Sequence, residues 1–335
     1  GRRKQRPRSA NAAQGGPRRA VSNWSALQGG DRAVFLREHA ELVERGEEAL
    51  CFSTPPGGAV AGPLLGRRSE AARERSPERL HLDRRSLTHC PILEGEDRLR
   101  LLNYQGNSIT RIDNLGGTPN LIFLDMYDNQ VQQIEHLEPV SNLRVLMLGK
   151  NQIARIQNLH PVPKLDVLDL HCNKIEVVEH LHALAKLRVL NLAGNLLTDV
   201  ANLEQLSSLT ELNIRRNNIT SCEGLESLDR LVRLFASHNK LATVRSILPL
   251  GRLTSLSELA LEGNHVCEVP AYLEEVLQLC PFVEQLDGQR LLGVGAQGAG
   301  DSSAEETPTG ADGNAVGALN AALASAPGSR GGWSG

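Results

Sequence analysis

A 22-residue repeat is the feature of this sequence that most limits how the chain can fold. Its clearest copies read LRVLMLGKNQI from Leu143, LDVLDLHCNKI from Leu165 and LRVLNLAGNLL from Leu187. An asparagine marks eight copies, and its spacing is 22 residues except for a last step of 25. These residues are Asn107, Asn129, Asn151, Asn173, Asn195, Asn217, Asn239 and Asn264. A fixed period of this length is typical of stacked repeat architectures.

Apolar residues keep the same distance from the asparagine in every copy. One leucine precedes it by eight residues and another by five, and Ile, Val or Leu follows it by two. In the segment x-L-x-L-x the two leucines share one face of a short strand, because side chains alternate along a strand. One copy cannot bury these leucines alone, so we expect the copies to stack into a parallel sheet. The pattern resembles the leucine-rich repeat, matched eight times.

The asparagine falls where the strand turns away. Its short amide is suited to bond backbone groups of its own turn and of the neighbouring copy. Apolar residues recur five, eight and eleven positions after it, as in Ile156, Leu159 and Val162, and this spacing suits 3₁₀ or short helical turns. We therefore predict an α/β leucine-rich-repeat solenoid, with short parallel strands on the concave face and 3₁₀ or short helical turns on the convex face.

Caps are expected at both ends of the eight repeats, which span residues 99–269. An end repeat must hide its leucines from water, so residues 76–98 are interpreted as the N-terminal cap and residues 270–290 as the C-terminal cap. Tyr272 and the pair Leu286-Asp287 resemble residues that close the core in SDS22-like leucine-rich-repeat proteins.

The flanking segments have a different composition. Residues 1–75 are predicted to be largely disordered, with a basic start and a linker at 53–66, and residues 31–45 carry an apolar stripe compatible with a short helix. That helix would either fold back on the solenoid or dock on a partner. Residues 291–335 contain few large apolar side chains and are predicted to be a disordered tail.

The side chains two, four and six positions before the asparagine are expected on the concave face. Phe123, Val145, Met147, Val167 and Val189 would form an exposed apolar strip there, a kind of surface that usually marks a partner site. The alternative is that the N-terminal segment or a loop covers this strip. The predicted partner-binding residues are Phe123, Asp125, Tyr127, Val145, Met147, Val167, Asp169, His171, Val189, Arg215, Arg233 and Phe235.

Motifs for chemistry are poor in this sequence. Asp169 and His171 lie two positions apart on one strand and are close enough to contact, but no nucleophile is evident beside them. No P-loop, dinucleotide-binding, nucleophile-elbow or zinc-protease motif is present. We therefore expect a binding protein and not an enzyme, with no catalytic residues, no cofactor and no metal ion.

Charge and hydropathy limit the classes of partner that the sequence suggests, and the cysteine content indicates the redox environment. The formal net charge is -3, which gives no argument for nucleic acid. No apolar run approaches the ~18 residues of a membrane span, so no membrane is expected as a partner. Six cysteines show no paired spacing, which indicates a reducing, intracellular setting. Cys222 and Cys280 are expected to be small buried residues.

Residues between the repeat positions carry a closer resemblance. The stretch LDRRSLTHCPILEGEDRLRLLNYQGNSITRI from Leu82 and the following LIFLDMYDNQV, LRVLMLGKNQI and LDVLDLHCNKI resemble the leucine-rich-repeat subunit (subunit 4) of the tubulin polyglutamylase complex. The similarity covers about residues 76–290. The residues outside the repeat pattern that carry it are Asp83-Arg84-Arg85, Cys90-Pro91, Glu94-Gly95-Glu96, Tyr127-Asp128 and Gly149-Lys150.

The resemblance implies a non-catalytic scaffold subunit. The implied partners are a tubulin-tyrosine-ligase-like catalytic subunit, the other polyglutamylase subunits, and tubulin or microtubules. The implied location is the cytoplasm and cytoskeleton, at microtubules, the centriole or basal body, and the cilium. An SDS22-like adaptor, such as a phosphatase regulatory or axonemal dynein-associated chain, is the alternative that stays open.

Overall fold

The computed structural model describes residues 50–53 and 64–291, which form short strands joined by turns. The strands are β1 (Leu50–Ser53), β2 (Leu65–Arg68), β3 (Arg79–His81), β4 (Ile92–Leu93), β5 (Leu101–Asn103), β6 (Phe123–Asp125), β7 (Val145–Met147), β8 (Val167–Asp169), β9 (Val189–Asn191), β10 (Glu211–Asn213), β11 (Arg233–Phe235), β12 (Glu258–Ala260), β13 (Gln285–Leu286) and β14 (Gln289–Arg290). The α-helices are α1 (Glu70–Arg75), α2 (Val244–Ile247) and α3 (Tyr272–Leu279), and the 3₁₀ turns are Leu115–Gly117, Glu138–Val140, Leu248–Arg252 and His265–Glu268.

A sheet of eleven strands runs the length of the solenoid. Strands β5 to β12 come one from each repeat and pair in parallel in chain order. Strand β3 extends the sheet before the first repeat and β13 extends it after the last, while β14 pairs antiparallel with β13. The predicted leucine-rich-repeat solenoid is confirmed. No helix among the described residues is long and apolar enough to cross a bilayer.

The core is the stack of leucines that the repeat predicts. The register aligns Leu124, Leu146, Leu168 and Leu190 in neighbouring strands, and none of them is exposed. Each leucine buried in this way stabilises the fold by about 1.5–3 kcal/mol relative to leaving it in water.

Residues of the convex half close the core from the other side. Ile156, Leu159 and Val162 are buried, and so are Cys222 and Cys280, as predicted. Burial raises the pKa of these two thiols, to about 12 for Cys222 and to about 11 for Cys280. Both side chains are therefore small apolar parts of the core.

The asparagines form a ladder of hydrogen bonds along the solenoid. The Nδ2 group of Asn173 donates to the carbonyl of Leu170 in its own turn and to that of Leu148 in the preceding rung, both at 2.9 Å. Its Oδ1 accepts the backbone N–H of Ile153 at 2.9 Å. The same two Nδ2 bonds recur at all eight asparagines. The ladder satisfies backbone groups that lie beyond the ends of the short strands.

The start of the solenoid differs from the prediction. Strands β1, β2 and β4 form a separate three-stranded sheet, and α1 follows β2. The prediction of a largely disordered segment before residue 76 is therefore wrong for residues 50–53 and 64–75. The predicted helix over residues 31–45 and the predicted tail after Leu291 lie outside the described residues.

A buried ion pair explains the ordered start. The guanidinium of Arg68, which is 2% exposed, donates to both carboxylate oxygens of Glu96 at 2.9 and 2.5 Å. It also donates to the carbonyls of Ser76 at 2.6 Å and Arg79 at 3.1 Å. Four charge-assisted bonds thus tie β2 to the first rung, across a chain separation that no repeat pattern reveals.

The C-terminal end is closed by a hydrogen-bonded pair. The hydroxyl of Tyr272 at the start of α3 donates to Oδ2 of Asp287 at 2.9 Å. Oδ1 of Asp287 accepts the N–H groups of Leu261 at 2.6 Å and Glu262 at 2.9 Å, just after β12. Burial, together with the neighbouring carboxylate of Asp287, raises the pKa of Tyr272 well above its usual value. The carboxylate of Asp287 therefore provides hydrogen-bond acceptors for backbone N–H groups at the end of the last repeat.

Candidate protein-binding surfaces

The strands separate two layers of side chains, as alternation requires. In β6, Leu124 belongs to the main core, whereas Phe123 belongs to a second apolar cluster that is distinct from it. The register places Phe123, Val145, Val167 and Val189 in one row across four strands. The second cluster therefore lies on the concave face, on the opposite side of the sheet from the leucine stack.

The apolar strip is not exposed, and this part of the prediction is wrong. Only 6% of Phe123, 1% of Val145 and 3% of Val167 is accessible, and Met147 and Val189 are partly buried against them. Neighbouring strands lie about 4.8 Å apart, so branched side chains in one row touch on both sides. The strip is a small second core, and its exposed area gives no argument for a partner site.

An aromatic group spans three rungs beside this second core. The rings of Tyr127 and His171 lie with their centroids 5.5 Å apart, although they are two rungs apart in sequence. Gly149 separates them, and a Cβ at this position would lie 2.4 Å from the His171 ring. The Nζ atom of Lys150 lies 5.0 Å from the centroid of the Tyr127 ring. We call Tyr127, Gly149, Lys150, Asp169 and His171 the Tyr127 cluster.

Asp169 orients the histidine of this cluster, and the predicted contact between the two side chains is present. Oδ1 of Asp169 lies 2.7 Å from Nδ1 of His171 and also accepts the backbone N–H of His171 at 3.0 Å. A carboxylate oxygen only accepts, so the proton of the side-chain bond belongs on Nδ1. Asp169 itself is 4% exposed. The pair fixes the position of the His171 ring at the surface.

The side chain of Asp125 lies near two other carboxylates on this half of the face. Burial raises the pKa of Asp125 from 3.8 to about 6, although the backbone N–H of Tyr127 donates to its Oδ1 at 2.9 Å and opposes the shift. The charges of Asp169 and Asp83 raise the pKa further. The carboxylates of Asp169 and Asp83 therefore lie close enough to Asp125 to raise the pKa of its side chain.

The remaining predicted residues form a separate group further along the solenoid. The guanidinium of Arg215 lies 4.5 Å from the centroid of the Phe235 ring, which is 5% exposed. Arg233 pairs with the buried carboxylate of Glu211 at 2.6 Å. The twelve predicted residues thus form three groups: a second core, the surroundings of the Tyr127 cluster, and this arginine group.

The structure contains a second candidate surface that was not predicted from the sequence. A groove of about 960 Å³ follows the edge of the sheet at which strands β5 to β10 begin. Its lining residues lie mostly seven or nine positions before the repeat asparagine. This constant spacing is the sequence signal from which the groove residues could have been found. Glu78, Asp97, Arg98, Arg100, Asn120, Ile122, Asn142, Arg144, Lys164, Asp166, Lys186, Arg188, Ser208, Thr210 and Arg230 line this lateral groove.

Both surfaces suit binding more than chemistry. Among the described residues, no group of three or more His, Cys, Asp or Glu side chains is placed to hold a metal ion. The Tyr127 cluster offers two rings and an ammonium group, and the lateral groove offers charged side chains. Tyrosine and arginine, which these two surfaces present, are among the residues enriched at protein interfaces.

Family models match the repeated part of the chain. A model described as Leucine rich repeat matches residues 141–197, and one described as Leucine Rich repeats (2 copies) matches residues 97–139 and 185–227.

Curated relatives share a short segment with this chain. Leucine-rich repeat-containing protein 49 of Homo sapiens is 55% identical over 47 residues, which is 14% of this chain and 7% of that protein. The protein of the same name from Mus musculus is 53% identical over 49 residues, 15% of this chain and 7% of its own length. The match thus spans less than a tenth of the length of these relatives.

Solved structures share the fold. An internalin of Listeria monocytogenes (InlF) superposes with a TM-score of 0.57 at 24% identity, covering 64% of this chain and 62% of that one. A leucine-rich repeat protein of Leptospira interrogans superposes with a TM-score of 0.53 at 26% identity, covering 62% of this chain and 54% of that one. The family models thus identify leucine-rich repeats within residues 97–227, and the solved structures share the solenoid fold that the asparagine ladder supports.

Proposed function

We propose that this chain is a non-catalytic scaffold that holds other proteins on the concave face of its solenoid, as a subunit of a tubulin polyglutamylase complex. The Tyr127 cluster carries the scaffold role. Tyr127 and His171 are partly exposed, Lys150 is exposed, and Asp169 and the gap at Gly149 hold the two rings in place. Rigid aromatic side chains with a polar tip lose little entropy on binding and are enriched where interfaces are strongest.

The resemblance over residues 76–290 supports the choice of complex. Two of the residue pairs that carry it, Tyr127-Asp128 and Gly149-Lys150, supply three members of the Tyr127 cluster. The resemblance and the candidate surface therefore coincide. On this proposal catalysis belongs to a separate tubulin-tyrosine-ligase-like chain. The scaffold acts with it and with the other subunits on tubulin, in the cytoplasm at microtubules, centrioles or basal bodies, and cilia.

An SDS22-like adaptor is the second candidate. The bond between Tyr272 and Asp287 favours it, because this pair resembles the closure of the C-terminal cap in SDS22-like proteins. An adaptor of this kind would bind a phosphatase catalytic subunit or an axonemal dynein heavy chain in place of a polyglutamylase.

Affinity capture from ciliated cells distinguishes the two. The tagged full chain is compared with the double variant Tyr127→Ala/Lys150→Ala and with Leu196→Ala, a control whose side chain is 46% exposed and lies outside the cluster. We expect the unaltered chain and the control to recover a ligase-like chain and tubulin, and the double variant to lose them. Recovery of a phosphatase or dynein chain in their place selects the adaptor. Recovery of the same partners by all three proteins refutes the concave-face assignment.

A second assay tests whether the chain is an enzyme. The purified full chain is incubated with tubulin, glutamate and ATP, and glutamate incorporation is measured. We expect none without a second polypeptide. Turnover by this chain alone would overturn the scaffold proposal.

A further inference from the structure

The lateral groove has a charge opposite to that of the whole chain. Seven Lys or Arg side chains and three carboxylates line it, an excess of four positive charges, whereas the chain has a formal net charge of -3. Such a local excess attracts negatively charged partners, and the wall of the solenoid concentrates the field in the groove.

A buried carboxylate holds two arginine side chains in place at the middle of the groove. Asp166, which is 3% exposed, pairs with Arg188 through its Nη2 at 2.6 Å and through its Nε, and with Arg144 at 3.3 Å. The Nη1 donors of Arg188 take no part in this pair, and 45% of its side chain is accessible. An arginine held in this way presents its remaining donors in a fixed geometry, so little entropy is lost when a carboxylate binds.

Other cations of the groove are not neutralised. Within the part of the chain that the structure describes, no carboxylate lies within ion-pair distance of Arg98, Lys186 or Arg230, and all three are exposed. Lys164 is also exposed and donates only to the amide oxygen of Asn142, at 2.7 Å. Their charges therefore remain available to a partner along the length of the groove.

The backbone carbonyl groups of the groove wall already accept hydrogen bonds within the solenoid. The carbonyl of Arg100 accepts the N–H groups of Ile122 and Phe123 at 2.8 and 2.9 Å, and the carbonyls of Arg144, Asp166 and Arg188 accept two N–H groups each in the same way. A partner cannot extend the sheet here, so it must be recognised by side chains.

The dimensions fit an extended polypeptide. Arg98 and Arg230 lie six rungs apart, which at about 4.8 Å per rung is roughly 29 Å, the length of about nine extended residues. We propose that the lateral groove binds an extended, carboxylate-rich polypeptide segment, whose acidic side chains pair with Lys164, Lys186 and Arg188 at the centre. This inference goes beyond the scaffold role and does not depend on the polyglutamylase assignment.

The lining favours a polypeptide over a nucleic acid. Single-stranded nucleic acids are bound by aromatic side chains on which bases stack, and no aromatic residue lines this groove. The amide and hydroxyl groups of Asn120 and Ser208 are able to form hydrogen bonds with the peptide groups of an extended chain.

Fluorescence anisotropy with the full chain tests the proposal. The probe is a labelled peptide of about twelve glutamates, long enough for the groove, and a glutamine peptide of the same length controls for charge. The variant Lys164→Glu/Lys186→Glu is matched by Lys174→Glu/Lys240→Glu, which changes the net charge equally at exposed sites outside the groove. We expect the first pair to weaken binding by about tenfold or more and the second by less than about twofold.

Increasing salt is expected to weaken the binding, because exposed charge pairs are screened. Circular dichroism and the melting temperature show that each variant is folded. The proposal is overturned if the glutamate peptide does not bind at low salt, or if the control pair weakens binding as much as the groove pair. Tighter binding of a single-stranded oligonucleotide of equal charge, with the same sensitivity to the groove pair, would overturn it in favour of a nucleic-acid site.

Discussion

Replacing Asn217 with alanine measures how much the asparagine ladder stabilises the solenoid. Its Nδ2 donates to the carbonyls of Ile214 and Leu192, both at 3.0 Å, and its Oδ1 accepts the N–H of Leu197 at 3.1 Å. A further contact with the carbonyl of Arg215 at 3.2 Å shares the same two Nδ2 protons. Asn217 is 8% exposed, so water does not easily replace these bonds.

The expected loss follows from three hydrogen bonds. Each contributes about 0.5–1.5 kcal/mol net, and a buried group left without a partner costs about 1–3 kcal/mol. We expect Asn217→Ala to lower the free energy of unfolding by about 2–4 kcal/mol. Asn218→Ala is the matched control, because this neighbouring side chain is partly buried and makes no hydrogen bond among the described residues. A change within about 0.5 kcal/mol is expected there.

Urea denaturation followed by circular dichroism measures both variants, and hydrogen exchange supplies a local readout. The N–H of Leu197 loses its acceptor in Asn217→Ala, so its protection should fall more than that of the other amides of the same repeat. If Asn217→Ala and Asn218→Ala cost the same, or if the exchange of the Leu197 amide is unchanged, the ladder does not stabilise the fold as argued.

Four other substitutions have outcomes that follow from the structure. Leu168→Ala in the leucine stack should lower the free energy of unfolding, measured in urea, by about 2–5 kcal/mol. Phe123 is only 6% exposed, so Phe123→Ala should lower it by a comparable amount. An unchanged melting temperature for Phe123→Ala would show that the second cluster is not a core. Arg68→Ala leaves the carboxylate of Glu96 buried without its main partner and should cost about 3–5 kcal/mol, and a loss below about 1 kcal/mol would contradict a structural role for this pair. Burial raises the pKa of Asp125 from 3.8 to about 6, so the folded state binds this proton more tightly than the unfolded state. The resulting stabilisation is present at low pH and is lost as the pH rises through about 6. Asp125→Asn removes this titration, so the urea midpoint of the variant should depend less on pH between about pH 4 and 7 than that of the unaltered chain. Parallel pH profiles of the two proteins would contradict the raised pKa.

The asparagine substitution for Asp125 is conservative for a reason visible along the face. The residue four positions before the repeat asparagine is Asn or Asp in five copies, and its side-chain oxygen accepts the backbone N–H two residues later. The five bonds are those of Asn103, Asp125, Asp169, Asn191 and Asn213. This column is present in the sequence, but its role depends on the local turn after each strand.

A second polar column has a similar explanation. Seven positions after the repeat asparagine, Asn114, Asn158 and Asn202 adopt left-handed backbone conformations, with φ of 58°, 56° and 64°. Asparagine tolerates this region better than most residues. Each donates from Nδ2 to a carbonyl of the preceding rung, at 2.8, 2.9 and 2.9 Å. The convex side therefore has its own polar ladder, which apolar periodicity does not reveal.

The exposure of the concave face could not be predicted from alternation. Alternation correctly assigns Leu124 to the main core and Phe123 to the opposite side of the sheet. It says nothing about how closely the row of Phe123, Val145 and Val167 packs. That closeness depends on strand spacing and on side chains 22 residues away in the chain.

The amino-acid sequence by itself determined the solenoid, the leucine stack and the asparagine ladder, because these features arise from short-range spacing that is repeated without change. The tertiary structure alone decided which side chains outside the repeat pattern meet between neighbouring rungs. Stacking buried the apolar strip, brought the rings of Tyr127 and His171 together across Gly149, and gathered scattered cations into the lateral groove. The pair of Arg68 and Glu96 belongs with these, since it joins residues 28 positions apart outside the repeats. Such contacts form between side chains that are distant in the chain, so only the folded arrangement reveals them.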